Sequence, residues 1–365
     1  MTSARACRTS LPSGRCNGPA PDRSNAATAG RRSPAMEEAT PMIHRRHMLA
    51  GAGLLALPRP VRAQPRWEPT RPITLLVGFA PGGGTDIIAR FLAPALQAEF
   101  GQPIAVENRP GASGTIAALA GSRAAPDGHT VYMSTVSASA VVPPLMSPPP
   151  FDIIKDQTAV VLAATVPLVA VVPLSSPARD LAGFIAHAKA HPGALNYSSS
   201  GVATQQHLAA ELLASAAGIR MTHVPFRGTG QAVNEILAGR IDLAIDTFPT
   251  YLPHIRGERV RALATTMPTR IEWLPDLPTV AESGFPGFDA NVWYMLMGPP
   301  GLPEPVRDRW AAAVNKALAD PALRPRIKEA GFIPGGGSSA DAAALLRADA
   351  DRYAALIRNA GIRIE

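Results

Sequence analysis

Four short segments combine glycines or small hydroxyls with a helical pattern that follows, a combination suited to holding an anion without a formal cation. Pro81-Gly82-Gly83-Gly84-Thr85-Asp86 ends an apolar run and opens a helix. Glycines let backbone N–H groups approach an acceptor closely, and a helix start favours an anion by about 0.3–2 kcal/mol. A bulky residue at Gly83 is therefore expected to obstruct binding. SSSGVATQQHL, from Ser198 to Leu208, repeats the arrangement: Ser198, Ser199, Ser200 and Thr204 carry hydroxyls, and Gly201 to Thr204 carry backbone donors. VPFRGTG (Val224 to Gly230) is a third such turn, and STVSAS (Ser134 to Ser139) a fourth. Arg227 in the third is placed to pair with a carboxylate, although an arginine in a turn is more often solvated or in a surface ion pair. Asp246, ending DLAID, can accept from a ligand, orient a water or cap the following helix, and the last two roles are favoured over catalysis. For Pro81 to Asp86 alone, a tight turn before a capped helix is an equally good explanation, and for any one serine of Ser198 to Ser200 an N-cap in a Ser-rich loop is the more common one.

Other chemistries lack their residues. No Lys follows the glycines as in a phosphate-binding loop, and their spacing is not that of a dinucleotide fingerprint. The six histidines after residue 63, at 129, 187, 191, 207, 223 and 254, form no zinc-hydrolase pattern, since His187 and His191 enclose only Ala188-Lys189-Ala190. No G-x-S-x-G elbow occurs. Neither a catalytic residue, a metal nor a cofactor is expected. Trp67, Trp273, Trp293 and Trp310 lack interleaved basic residues and are expected to pack in the core.

The turns must be positioned by alternating strands and helices. The run Ile73 to Phe79 reads as a strand buried on both faces, and Ile87, Ile88, Phe91, Leu92, Ala95 and Leu96 recur at helical spacing until Gly101, with Thr85 or Asp86 as N-cap. Strands are expected at 104–107, 130–134, 159–164 and 168–172, with a helix at 113–120. A second series follows, with helices at 181–190, 204–217 and 230–237 and strands at 195–198, 221–224, 242–245 and 260–265. An aromatic-rich strand at 292–297 and helices at 306–319 and 340–358 complete the chain. Such alternation predicts an α/β fold of two lobes, each a layered, mainly parallel sheet with flanking helices. The chain would cross between lobes near 164–168 and return near 290, and the turns after the strands are where ligands bind.

The 365 residues exceed what one core usually serves, and 46% hydrophobic content excludes global disorder. The formal charge of +7 suggests a polyanion partner until it is located. Residues 1–41 are rich in Ser, Arg, Pro, Gly and Ala and read as a disordered leader or as sequence upstream of the true start at Met42. Residues 42–63 read as a signal peptide: Arg45-Arg46, an apolar run from Met48 to Leu57 too short to span a bilayer, and cleavage after Ala63. The paired arginines suit a twin-arginine route, with a Sec route also open. Residues 1–63 hold ten Arg and three acids, so the 302 that remain carry 25 bases and 25 acids, and both Cys7 and Cys16 fall in the leader. A neutral, cysteine-free exported body excludes thiolate chemistry and removes the case for nucleic acid.

FAPGGGTD (79–86), ENRPGASG (107–114), PDGHTVYM (126–133), VPFRGTGQAVNEILAGRIDLAID (224–246) and LPTVAESGFPGFD (277–289), with the leader, occur in an order that resembles the Bug-type extracytoplasmic solute receptors of tripartite tricarboxylate transporters. The resemblance runs from about Pro72 to the carboxyl terminus. It implies a periplasmic-binding-protein-like "Venus flytrap", with 64–165 plus 291–365 as one lobe and 166–290 as the other. It implies a monomeric periplasmic receptor that takes a small carboxylate (a di- or tricarboxylate, acidic amino acid or aromatic carboxylate) and hands it to membrane components of the transporter. Carried onto this chain, Phe79, Pro81, Gly82, Gly83 and Asp86 form one binding loop, with Thr135 and Ser137 beside it. Ser199, Gly201, Ala203 and Thr204 form the opposing loop, with Arg227, Gly228 and Asp246 nearby. STVSASAVVPPL departs from the family's usual Thr/Ser-His-Ala-x-Asn-Pro pattern, and Val202-Ala203 is less polar than its usual counterpart. A sensory module serving a membrane kinase would share this cleft chemistry, and an exported enzyme, the weaker alternative, would need a convergent acid/base set.

Overall fold

The computed structural model describes residues 67–360, with side chains described through residue 355. The expected leader, the expected signal segment with its cleavage site, and both cysteines lie outside the described residues.

Ile73–Val77 forms β1, and the chain turns into α1 (Gly84–Phe100), whose Ile88, Leu92 and Leu96 are buried at helical spacing. β2 (Ile104–Asn108), α2 (Thr115–Ser122) and β3 (Thr130–Thr135) follow, then a π-helical turn at Ser137–Val141. β4 spans Thr158–Pro173. α3 (Leu181–Ala190), β5 (Asn196–Ser199), α4 (Gln205–Ala217), β6 (Thr222–Pro225), α5 (Thr229–Leu237), β7 (Leu243–Thr247), α6 (Phe248–Arg256) and β8 (Val260–Thr265) make up the second series. The chain ends with β9 (Asn291–Gly298), α7 (Glu304–Ala319), α8 (Leu323–Glu329), β10 (Ile333–Gly336) and α9 (Ser339–Ala360).

The fold is α/β and two-lobed. One sheet has parallel β2-β1-β3, to which β9 and then β4 and β10 add antiparallel. The other has parallel β6-β5-β7, with β7 and β8 antiparallel to β4. Parallel flanks thus meet an antiparallel centre. The two apolar runs expected at 159–164 and 168–172 are one strand. Val166 to Val172 are fully buried, and β-branched residues covered on both faces favour continued extension over a break. The helix α8 and the strand β10, short and without a full period, are not legible in the sequence pattern.

β4 leaves one sheet for the other at Pro167/Leu168, and the chain returns where β9 begins at Asn291. Buried Thr266 ties the two crossings: its N–H and Oγ1 donate to the Leu168 carbonyl at 3.0 and 3.1 Å, and Oγ1 also lies 2.6 Å from the Ala290 carbonyl. The main core follows the sheets and includes Tyr132, Phe184, Tyr294 and Trp310, while a smaller one forms under α5 and α6 around Val169, Ile236 and Phe248. Among the described residues, no helix is long and apolar enough to cross a membrane.

Candidate functional site

Strand ends and helix starts from both series converge on one constricted cavity of about 20 Å³, room for about one water molecule. Gly83, Gly84 and Thr85 line it from the start of α1, Gln206 from the first turn of α4, Thr229 from the first residue of α5, and Thr247 from the residue before α6. Thr135, Ser137 and Ser200 add hydroxyls, and Phe79, Val292 and Tyr294 add apolar wall. Four helix amino termini therefore face one point. Each carries about +0.5 elementary charge at most, and none of the residues lining the cavity has a charged side chain. The arrangement can hold an anion against fixed dipoles and hydroxyls, and no histidine lines the cavity.

Behind this wall, polar side chains brace the turns. Asp86, almost fully buried, accepts from the Gly82 N–H at 3.0 Å, from Arg90 at 2.9 Å and from Asn108 Nδ2 at 3.0 Å. Burial pushes its carboxyl up, but the hydrogen bonds from Arg90, Gly82 and Asn108 outweigh that and hold it below the usual carboxylate range. Its oxygens are thus committed to the loop, and Gly83, not Thr85 or Asp86, is the N-cap residue of α1. Gly82, at φ +85°, makes the turn in a conformation that glycine adopts without strain.

In the opposing turn, Ser199 Oγ donates to the Gly201 carbonyl at 2.8 Å and contacts His223 Nε2, and Thr204 Oγ1 donates to the same carbonyl at 2.8 Å. The Ala203 N–H donates to His207 Nδ1 at 2.9 Å. Ser199, Ala203 and Thr204 accordingly shape the turn, while their neighbour Ser200 faces the cavity with an Oγ that has no hydrogen-bond partner.

Asp246 is fully buried beneath the site. Its Oδ1 accepts from Thr247 N at 2.6 Å, Thr229 Oγ1 at 2.8 Å and Gln206 Nε2 at 3.1 Å, while Oδ2 is unpartnered. Burial raises its pKa against the pull of these donors. A carboxyl raised on folding binds more protons folded than unfolded, so its contribution to stability is present below the ordinary carboxylate pKa and is lost as pH rises through the folded value. Asp246→Asn keeps the Oδ1 acceptor and removes this loss. Thermal melts of the variant are expected to show a higher Tm than the parent at pH 7.5 and no gain at pH 4; a lower Tm at pH 7.5 would contradict that assignment.

The two turns touch across the cleft. Ser113 Oγ donates to the Val202 carbonyl at 2.6 Å, the Gln205 N–H to Ser137 Oγ at 2.9 Å, and the Ala80 N–H to the Arg227 carbonyl at 3.2 Å. Pro81 and Gly82 lie on the outside of the contact against Gly230 rather than in the cavity, and Gly228, the N-cap of α5 at φ +143°, sits over Ala80. A second cavity of about 270 Å³ opens at the mouth and shares Phe79 and Ser200 with the inner one; Gly201 and exposed Arg227 line it.

Of the residues singled out in the sequence, the structure brings Phe79, Gly83, Thr135 and Ser137 to the inner cavity and Gly201 and Arg227 to its mouth. Gly84, Thr85, Ser200, Gln206, Thr229, Thr247, Val292 and Tyr294 complete the lining. Gly84, Thr85, Ser200 and Thr229 lie inside the same strand-to-helix motifs, which signal the segment but not which residue in it faces inward. Val292 and Tyr294 read only as core strand. Among the described residues no cluster of His, Cys, Asp and Glu could hold a metal ion.

Residues 88–362 match the model of the tripartite tricarboxylate transporter family receptor. The chain is 39% identical over 319 residues to the protein of the tcbD-tcbE intergenic region of Pseudomonas sp. (strain P51), covering 86% of this chain and 94% of that one. It is 34% identical to Protein BugT of Bordetella pertussis, covering 87% and 96%. Similar solved structures include R. palustris Rpa4515 with adipate (TM-score 0.78, 32% identity, 81% of this chain and 99% of that one) and MatC from Rhodopseudomonas palustris with bound malate (0.75, 32%, 78% and 98%). The periplasmic binding protein BugD is similar at TM-score 0.77 and 29% identity, over 81% of this chain and all of its own.

Proposed function

The chain belongs to the Bug-type, tripartite tricarboxylate transporter receptor family, and on that premise we propose that it captures a small carboxylate in the cleft and delivers it to the membrane components of such a transporter. The observation that carries this reading is the convergence of four helix amino termini and several hydroxyls on a cavity without a charged side chain. Neutral donors stabilise an anion when it is present and leave no uncompensated buried charge when the cleft opens, which keeps release cheap. The protein acts in the periplasm as a monomer, and the 42–63 segment directs it there.

Binding works by closure. The inner cavity admits about one water, so a carboxylate enters only when the turns part, and the crossings at Pro167/Leu168 and Ala290/Asn291 are where backbone rotation separates residues 67–167 and 291–360 from residues 168–290. On closing, Ser137–Gln205, Ser113–Val202 and Ala80–Arg227 hydrogen bonds form across the cleft. One carboxylate takes the inner donors, and the rest of the ligand extends into the mouth beside Arg227.

A thermal-shift screen against mono-, di- and tricarboxylates, acidic amino acids and aromatic carboxylates tests the reading, because a ligand at a hundred times its Kd adds about 2.7 kcal/mol to the folded state. Adipate and malate are the first probes. No shift with any carboxylate, or product formed from a bound one, would overturn it. Arg227→Ala is expected to weaken a dicarboxylate about two- to fivefold and a matched monocarboxylate little, since an exposed arginine contributes at most about 1 kcal/mol. Calorimetry with the two ligands reads the ratio.

A further inference from the structure

Two stacked imidazoles stand directly behind the Ser199–Thr204 turn. The His207 ring, from the first turns of α4, lies 3.9 Å centroid to centroid from that of His223 on β6, at 7° between planes, and Tyr197 of β5 continues the stack at 4.9 Å from His223. Parallel rings point their nitrogens along separate planes, so the pair does not converge on a metal. Each ring instead holds one group of the turn. His207 Nδ1 accepts the Ala203 N–H at 2.9 Å, and His223 Nε2 lies 2.7 Å from Ser199 Oγ, which in turn meets both the N–H and the carbonyl of Gly201.

Ala203 is where this hold matters most. It is buried and has a φ of +58°, the left-handed region that a residue with a Cβ occupies at a cost of about 1–2 kcal/mol. Its N–H has the imidazole as acceptor, and residues before and two positions after it contact the other lobe: the Val202 carbonyl accepts from Ser113, and the Gln205 N–H donates to Ser137. We propose that His207, with His223 stacked against it, is a positioning residue that keeps the ligand-binding turn in register only as a neutral imidazole, so that the cleft loosens its hold on an anion in acid. The proposal rests on this turn forming one wall of the carboxylate site.

A protonated His207 has no lone pair for the Ala203 N–H, which is then buried without a partner while the strained φ loses its tether. The titratable groups facing the pair are Tyr197 from β5 and Glu211 from α4, together with each imidazole for the other. Tyr197 donates its hydroxyl to Glu211, and the Glu211 carboxylate lies 3.9 Å from His207 Nε2, so acid also draws a charged His207 towards Glu211 and away from the turn. Burial lowers the His207 pKa, partly offset by Glu211, and burial with the neighbouring His207 lowers that of His223 to about 4. A base depressed on folding contributes stability that is complete above its ordinary value of 6.5 and is lost as pH falls from there towards the folded value, about 4 for His223.

Amide-exchange protection at Ala203 and calorimetry with adipate, both at pH 7.5 and 5.0, test this on the parent, His207→Asn, His207→Phe and Gly84→Ala. The Asn carbonyl replaces Nδ1 as acceptor and does not titrate, and Phe keeps the stack without the acceptor. In the parent, protection at Ala203 and adipate affinity are both expected to fall about tenfold from pH 7.5 to 5.0, the size of one lost buried hydrogen bond. His207→Phe is expected to be low at both pH values, and His207→Asn to restore what Phe loses and to flatten the profile. A parent profile without pH dependence, or a His207→Asn profile that follows the parent, overturns the proposal. Gly84→Ala separates the two failures: if it binds adipate as the parent does, the cleft reading itself is at fault, whereas if it loses binding while the histidine variants change nothing, only the positioning role fails.

Discussion

Gly84→Ala is expected to lower carboxylate affinity at least about a hundredfold, equivalent to about 2.7 kcal/mol, while leaving a folded protein. A Cβ at this position would lie 2.2 Å from Tyr294 Oη and 3.0 Å from its Cζ, far inside contact distance. Tyr294 cannot easily withdraw: it is buried, and β9 is paired on both sides, with β3 and with β4. The added methyl and the displaced ring therefore occupy the space where the carboxylate would meet the α1 amino terminus. Overpacking of this kind costs about 1–3 kcal/mol of stability, which a domain of this size tolerates. Gly83 behaves differently, since its Cβ would meet nothing nearer than Ala80 O at 3.8 Å and Thr229 Cβ at 3.9 Å. Gly83→Ala is thus the matched control with near-parent binding; the obstruction expected at Gly83 needs a bulkier residue there, whereas at Gly84 a single methyl suffices. Calorimetry with adipate and malate, alongside thermal melts, checks both; parent-like affinity in Gly84→Ala would remove the α1 terminus from the site.

Gly230→Ala acts on closure instead of on the cavity. Its Cβ would lie 2.5 Å from the Pro81 carbonyl oxygen and 3.3 Å from the Gly82 carbonyl carbon, backbone atoms of the opposing turn that cannot rotate aside. With the lobes apart there is no clash, and Ala is a better helix former than Gly in the first turn of α5. The variant is therefore expected to melt no lower than the parent without ligand but to bind adipate about thirty- to a hundredfold more weakly, mainly through faster dissociation. Small-angle scattering should show the parent compacting on addition of ligand and the variant compacting less. Equal affinity and equal compaction would mean that the Pro81–Gly230 contact plays no part in the bound state.

Much of the site was legible as segments. PGGGTD, SSSGVATQQHL, VPFRGTG and STVSAS each supply lining residues, because small residues between a strand and a helix are needed wherever backbone donors must be exposed. Which residue within a segment faces the ligand was less legible. Ser199 and Ser200 are adjacent and chemically identical, yet one braces Gly201 and His223 while the other lines both cavities. Asp86 and Asp246 both read as candidate ligand contacts, and both turn out to hold backbone and side-chain donors from below. Tyr294 and Val292 carry no polar-turn signal at all, because their strand is core on one stretch and cleft wall on another.

The sequence by itself determined the alternation of strands and helices, the neutral charge of residues 64–365 and the absence of metal-binding and nucleophilic motifs, since these depend on local periodicity and on composition. The tertiary structure alone decided that β4 runs unbroken through both sheets, that four helix starts meet at one point, that Gly84 rather than Gly83 has no room for a Cβ, and that two distant histidines stack behind the turn. These are contacts between residues from 16 to well over 100 positions apart, such as His207–His223 and Ser113–Val202, and they arise from strand order and register. Local pattern specifies the elements, but a dipole or an imidazole acts over only a few ångströms, so its target is set by packing.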